Sequence, residues 1–235
     1  MRDLYLDVKK RMSAVDALRI IKKTETYEQM SAELGLSAAI ISRYINGRVL
    51  PSSKRAEELL SFINSKYPSS KIIKDKVRVD QNGVIDDSDV ISDPALLHLL
   101  AIECSSQIND QITTVLTVAA DGIAFAEELA DIYGAGLAVV KKEREIGIDS
   151  FYEETEISLS SGIREGFYLP KKLIKKNDRV LIADDLARTG RTIGILLRLV
   201  ESAGANAVGI ALIISAKKAS ESIPKEMKKY VGLEI

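Results

Sequence analysis

Asp184 and Asp185 are adjacent carboxylates that follow the apolar run Val180-Leu181-Ile182-Ala183, and behind them comes a turn, Leu186 to Thr192, holding two hydroxyls, one glycine and two arginines. Four apolar residues in a row suit a strand buried on both faces. The chain is then expected to leave the sheet, expose both acids and enter a helix near Gly190. Converging backbone N–H groups in such a turn, the Thr189 and Thr192 hydroxyls and the positive end of the next helix make a site for a terminal phosphate. The two acids cannot serve that phosphate, because like charges repel. They suit donor groups such as ribose 2′- and 3′-hydroxyls, directly or through Mg²⁺. A phosphorylated ribose would span the two halves.

The elements that must position these residues are read from periodicity. Strands are expected at Thr113 to Ala119, Ala135 to Lys141, Ile163 to Leu169, Arg179 to Ala183 and Ala207 to Ser215, with helices over Ile123 to Ile132 and Gly190 to Ala203. That alternation implies an α/β domain, a mostly parallel sheet flanked by helices. Ligands bind beyond the carboxyl ends of the strands of such a sheet. Ala119-Ala120-Asp121-Gly122, Lys141-Lys142-Glu143-Arg144 and the stretch from Asp184 to Thr192 all fall there. Upstream, Asp93-Pro94 is a helix start, with apolar residues running to about Gln107. Ile72 to Val79, Asn82-Gly83 and Val84-Ile85 are expected to form a hairpin.

The first 66 residues read differently. A helix is expected up to about Lys23, and Thr26-Tyr27-Glu28-Gln29 fits a capping box opening a second one. Gly35 ends that helix, Ser37 caps the next, and Gly47 terminates it. Two short helices joined by Gly35-Leu36-Ser37 form a helix-turn-helix pattern. Ala32, Leu34, Leu36, Ile40, Ile41 and Ile45 are expected to fix the interhelical angle, leaving Ser37, Ala38, Ser42, Arg43 and Asn46 outward. A further helix follows from Lys54 to Asn64, and the polar stretch Ser65 to Lys71 reads as a linker. The expected organisation is a small all-α domain over 1–66, a linker and hairpin over 67–89, and the α/β domain over 90–235. Charge divides along the same line. Residues 1–66 hold 12 Lys and Arg against 8 Asp and Glu, and residues 67–235 hold 21 against 26. A net +4 on the helical part is compatible with nucleic acid there.

Composition narrows the classes further. A chain of 235 residues with 46% hydrophobic and 29% charged content is expected to be globular, and it contains no run of about 18 or more apolar residues. Met1-Arg2-Asp3-Leu4 leads into no apolar stretch, which argues against a secretion signal and for a cytoplasmic location. One cysteine, Cys104, and one histidine, His98, exclude an internal disulfide and a zinc site of Cys and His spacing. Both lie at or just beyond an apolar helical run and read as packing residues.

Two resemblances rest on these residues. Tyr27 to Pro51, ending in Asn46-Gly47-Arg48-Val49-Leu50-Pro51, resembles the phage-repressor type of helix-turn-helix. That likeness implies that Ser37, Ala38, Ala39, Ser42 and Arg43 approach bases while Arg48 and Lys54 approach phosphate on double-stranded DNA. Alanines at 38 and 39 restrict readout there to methyl contact or shape. Val180 to Thr192 resembles the phosphoribosyl-pyrophosphate motif of the type I phosphoribosyltransferases, and the likeness extends over residues 90–216. It implies that Asp184 and Asp185 hold ribose, and that Ala187, Arg188, Thr189, Gly190, Arg191 and Thr192 hold the 5′-phosphate. Ala120, Asp121 and Gly122 with Lys141 and Lys142 would hold pyrophosphate, residues 143–156 would form a mobile loop, and Mg²⁺ would accompany the ligand. The two halves together resemble archaeal regulators of the orotate-phosphoribosyltransferase-like kind and, by analogy, bacterial purine repressors.

Three functions stay open on the sequence. One is a homodimeric transcription regulator that senses phosphoribosyl pyrophosphate or a nucleotide. Another is a working orotate or purine phosphoribosyltransferase that carries a DNA-binding module. The third is a DNA-binding protein whose second domain only dimerises. Against catalysis stand the twenty residues after Ser215, too few for a base-binding hood, and the many acids of residues 143–156, which oppose pyrophosphate unless Mg²⁺ intervenes. Arg188 and Arg191 stand where enzymes of this type often carry small residues.

Overall fold

A computed structural model of the chain describes residues 2–81, 83–157 and 164–235, in two compact units that divide between Glu103 and Cys104. The first unit is built from α1 (Arg2–Lys22), α2 (Tyr27–Leu34), α3 (Ala38–Ile45), α4 (Ser53–Lys66) and α5 (Ser69–Lys76). A two-stranded ribbon of β1 (Arg78–Val79) and β2 (Ile85–Asp86) follows, then α6 (Ser88–Ile91) and the start of α7 (Pro94–Gln107). Local sequence explains these boundaries. Thr26 and Gln29 exchange the two hydrogen bonds of the expected capping box, and Gly35 ends α2 in the left-handed region at φ 62°. Ser37 caps α3 and Ser52 caps α4 through their hydroxyls. Ala14, Val15, Ala17, Leu18, Ile20 and Ile21 of α1 are buried, as are Ala56, Leu59, Leu60 and Ile63 of α4. Each large aliphatic chain so buried contributes about 1.5–3 kcal/mol. Arg19 donates from Nε to the Ile45 carbonyl at 2.9 Å, satisfying the end of α3 with a cation where its dipole is negative.

Three sequence expectations fail in this unit. Ile72 to Val79 is a strand only at Arg78–Val79, because the chain continues as α5 to Lys76. Of the adjacent pair Ile72 and Ile73, only Ile73 is fully buried, and the lysines around it accept helix readily. The polar stretch read as a linker is therefore a tight junction, with α4 running through Lys66 and α5 starting after Pro68. The expected turn at Asn82 lies outside the described residues; Gly83 beside it has φ 76°. Ala32 and Ile40, expected inside, are exposed, Ile40 at 39%, whereas Ile41 is buried as expected, and so is Met30.

The second unit is a five-stranded sheet in the order β4-β3-β7-β8-β9, formed by β3 (Thr114–Val118), β4 (Gly136–Val140), β7 (Arg179–Ala187), β8 (Asn206–Ser215) and β9 (Lys228–Glu234). Every neighbouring pair is parallel. Helices α8 (Ile123–Tyr133), α9 (Arg191–Ser202) and α10 (Lys217–Ser222) make the crossovers that parallel strands require. The centre of the sheet is apolar on both faces: Val115, Leu116, Val180, Leu181, Ile182, Ala183 and Ile210 to Ile214 are buried. Tyr133 donates to the Ile108 carbonyl at 2.8 Å, and burial pushes its hydroxyl pKa up. Cys104 is a buried free thiol. Among the described residues no helix is long and apolar enough to cross a membrane.

The third expected strand is not part of this sheet. β6 (Arg164–Pro170) pairs antiparallel with β5 (Phe151–Ile157), from Phe151↔Pro170 to Ile157↔Arg164; Ile163 lies outside the described residues. Among the described residues no helix intervenes between β4 and β6, and parallel pairing of the two would need such a crossover. Within the stretch expected to be a mobile loop, residues 151–156 thus belong to a strand, with Glu154 and Glu156 on one face and Glu153 on the other. β9 was also missed. Tyr230 anchors this lysine-headed edge strand at 1% exposure.

Candidate functional site

The order β4-β3-β7-β8 reverses direction between β3 and β7: the chain leaves β3 through α8 toward one edge, and leaves β7 through α9 toward the other. The two outgoing connections diverge and leave a crevice beyond the strand ends, where ligands of open α/β sheets sit. Ala119 to Gly122 and Asp184 to Thr192 enter that crevice from its two sides. They share a cavity of about 280 Å³ lined by Ala120, Asp121, Lys142, Asp184, Asp185, Thr189, Arg191 and Thr192, with Val118, Ala119, Glu165, Phe167 and Ile195.

The acids are not displayed as expected. β7 continues through them to Ala187, pairing Asp184 with Leu212 and Leu186 with Ile214 of β8. Asp184 is 8% exposed, and its Oδ1 accepts a hydrogen bond from the Asp185 backbone N–H at 3.1 Å. Burial, followed by the charges of Asp185 and Asp121, holds its pKa well above the ordinary carboxylate value. The sheet register, which the four apolar letters do not extend far enough to show, carries the strand onward and takes this side chain out of water.

Gly122 stands where a side chain would close the site. A Cβ there would come within 2.7 Å of Thr117 Oγ1, 3.0 Å of Asp184 Oδ1 and 3.3 Å of Asp185 Oδ1. Gly122→Ala is therefore expected to displace the acids and cost about 1–3 kcal/mol of stability. Thermal melting would check this, and an unchanged melting temperature would contradict the crowding.

At the far end of the crevice Gly190 turns the chain at φ 76°, and α9 starts without a side-chain cap. The Thr189 hydroxyl accepts from the Arg191 backbone N–H at 3.4 Å. A second cavity of about 160 Å³ is lined by Leu186, Ala187, Arg188, Thr189, Gly190, Arg191, Thr192 and Ile193. With Gly190 offering no side-chain cap and the Arg191 N–H held, among the described residues, only by that long contact, a helix start with two cations beside it favours an anion. A Cβ on Gly190 would also meet Ser222 Oγ at 2.0 Å, so α10 packs directly on this turn.

Of the two lysines, Lys142 lines the main cavity, 3.8 Å from Glu165 and over the Phe167 ring. Lys141 does not line it: its ammonium meets Glu145, and its backbone pairs with Tyr168. Successive residues of an extended chain point to opposite faces, so only one of the pair reaches the crevice. Sequence reading missed Glu165, Phe167, Val118 and Ile195. The alternation along β6 that points Glu165 and Phe167 inward was present, but it was attributed to a strand of the main sheet.

In the first unit, α2 and α3 make the two-helix arrangement. Ser37, Ala39, Arg43, Arg48 and Lys54 are exposed, whereas Ala38 and Ser42 are half-buried. Ser42 is engaged by Asn46, whose Nδ2 donates to its carbonyl at 2.8 Å and its hydroxyl at 3.1 Å.

A helix-turn-helix on one part of a chain, and on the other a parallel sheet with a glycine turn and paired acids at its switch point, define a two-part protein that joins a helix-turn-helix module to a phosphoribosyltransferase-type fold. The chain belongs to the phosphoribosyl transferase domain family, which matches residues 93–235, and a helix-turn-helix family matches residues 17–68. It is 29% identical over 177 residues to a probable purine biosynthesis transcriptional regulator PurR of Streptococcus pneumoniae, covering 74% of this chain and 62% of that relative. The match to the purine biosynthesis transcriptional repressor PurR of Bacillus subtilis is 25% identical and covers 95% and 76%. A xanthine phosphoribosyltransferase of Lachnoclostridium phytofermentans is 31% identical over 155 residues, covering 61% of this chain and 79% of the relative. The adenine phosphoribosyltransferase structure from Rhodothermus marinus superposes with a TM-score of 0.63 at 25% identity, covering 71% of this chain and 98% of the other. These relatives are bacterial, so the archaeal part of the sequence resemblance finds no support among them.

Proposed function

We propose that the chain is a DNA-binding transcription regulator whose second domain binds phosphoribosyl pyrophosphate or a nucleotide and uses that occupancy to change DNA affinity. The observation that carries the reading is the crevice at the β3/β7 switch point, which sets paired carboxylates, one lysine and an uncapped helix start around a single cavity in a chain that also bears a helix-turn-helix. Asp184 and Asp185 would take the ribose hydroxyls. Thr189 and Thr192 with the α9 N–H groups would take the 5′-phosphate, helped by Ala187, Arg188, Gly190 and Arg191 around the turn. Ala120, Asp121 and Gly122 with Lys142 would face the pyrophosphate, and Lys141 would join them only by leaving Glu145.

The donor set fits Mg²⁺ arriving with the ligand. Asp121, Asp184 and Asp185 line the cavity, yet among the described residues no cluster of three or more His, Cys, Asp or Glu side chains is arranged to hold a metal by itself. Mg²⁺ is commonly held by one or two carboxylates together with ligand phosphates, and there it would neutralise charge between them.

On DNA, Ser37, Ala38, Ala39, Ser42 and Arg43 would face bases while Arg48 and Lys54 face phosphates. Readers of this kind bind as dimers on half-sites about 34 Å apart, so the assembly would be a homodimer acting in the cytoplasm. Titrating operator DNA with the protein, with and without phosphoribosyl pyrophosphate and mononucleotides, should show at least a fivefold change with one of them, corresponding to about 1 kcal/mol of coupling. Equal affinity in every case would remove the sensor role.

The likeness to xanthine phosphoribosyltransferase favours a second reading, an active purine phosphoribosyltransferase. Release of pyrophosphate from phosphoribosyl pyrophosphate, Mg²⁺ and a nucleobase would establish it.

A further inference from the structure

Arg191 belongs to the phosphate turn, yet it is already engaged from another element. Its Nε lies 3.5 Å from Glu156 Oε1 on β5, while its Nη2 is buried and has no hydrogen-bond partner among the described residues. Glu156 is held more closely by a second cation, with Arg198 Nη2 at 3.1 Å from its Oε2 and Arg198 Nε at 2.8 Å from Glu154 Oε2. α9 thus grips β5 twice, firmly through Arg198 and loosely through Arg191. Glu156 also stands opposite Glu165 across the hairpin, and Glu165 lines the main cavity.

We propose that Glu156 is a built-in competitor for Arg191: its carboxylate holds the arginine in the place a phosphomonoester would take, and an incoming 5′-phosphate displaces it. The proposal rests on the reading of this crevice as a phosphoribosyl site. A phosphomonoester offers more charge and more acceptor oxygens than a carboxylate, including one for the unpartnered Nη2. Exchange therefore favours the ligand, and the competitor raises the concentration at which the site fills. The hairpin stays attached throughout, because Arg198 keeps both Glu154 and Glu156 when Arg191 leaves.

Ribose 5-phosphate and phosphoribosyl pyrophosphate with Mg²⁺ are the probes, titrated calorimetrically into the full chain. Glu156→Gln should bind ribose 5-phosphate about 2- to 5-fold more tightly than the unmodified protein, the range of a partly exposed ion pair. Glu156→Asp, which keeps the charge but shortens its reach, should fall between them. In an Arg191→Gly background, Glu156→Gln should have no further effect, and Glu154→Gln, whose partner is Arg198, should leave affinity unchanged. An unaltered or weakened Glu156→Gln overturns the proposal. So does an equal gain from Glu154→Gln or in the Arg191→Gly background, since that would be general relief of negative charge. If the unmodified protein binds neither probe, the reading of the site falls and the competitor with it; if it binds and the variants behave alike, the competitor falls alone.

Discussion

A chain carrying Asp184→Asn together with Asp185→Asn is expected to bind phosphoribosyl pyrophosphate at least about 100-fold more weakly, because each carboxylate that accepts from ribose hydroxyls is worth about 1.5–3 kcal/mol as a charged hydrogen-bonding group, so the pair is worth about 3 kcal/mol or more. Calorimetric titration is the direct check, and an unchanged affinity would remove the ribose assignment. Asp184→Asn alone should act on stability in the opposite direction. Asp184 is buried, and its folded pKa stands well above the ordinary value of 3.8. Between that value and the raised folded one, the native state holds a proton that the unfolded state has released, so its contribution is complete at acid pH and is lost as pH rises through the folded pKa. Asp184→Asn, which cannot ionise, should therefore melt higher than the unmodified protein at neutral pH. The gap should narrow as pH falls toward 4. A gap that widens on acidification would show that the carboxylate is held in its charged form.

Arg43→Ala should weaken operator binding by about 1–3 kcal/mol, a factor of roughly 5 to 150, and relax preference at one base position. Arg43 is the exposed cation on α3, where a side chain can approach a base edge. Arg48→Ala should weaken operator and unrelated DNA alike and lower the salt slope by about one, as expected for a phosphate contact. Fluorescence anisotropy over a salt series separates the two. Loss of specificity on Arg48→Ala, with Arg43→Ala silent, would mean that the helix-turn-helix docks in another orientation.

Legibility from sequence differed by element. Caps were readable because the information is local: Thr26 with Gln29, and Ser37 three residues before Ile40, each contain donor and acceptor within one turn. The buried strands of the central sheet were readable because parallel strands covered on both faces need continuous apolar runs. The hairpin of β5 and β6 was not. Its acids are paired through space with Arg144, Arg191 and Arg198, and no local pattern marks a glutamate as half of a distant ion pair. β9 escaped for a related reason, since seven residues headed by lysines become a strand only when β8 offers an edge.

By itself the sequence singled out Asp184 to Thr192 and Ala119 to Gly122 as candidate ligand groups, because adjacent acids, hydroxyls and glycines constrain chemistry through residue type alone. It also determined the two-helix module, whose turn and caps are local. Tertiary structure alone decided that β3 and β7 are neighbours and that their crossovers diverge, which turns two separate loops into one crevice. It alone decided which of Lys141 and Lys142 faces that crevice, and that Asp184 lies buried within a strand rather than displayed on a turn. Those outcomes depend on register and on which faces are covered, and both are set by contacts between residues far apart in the chain.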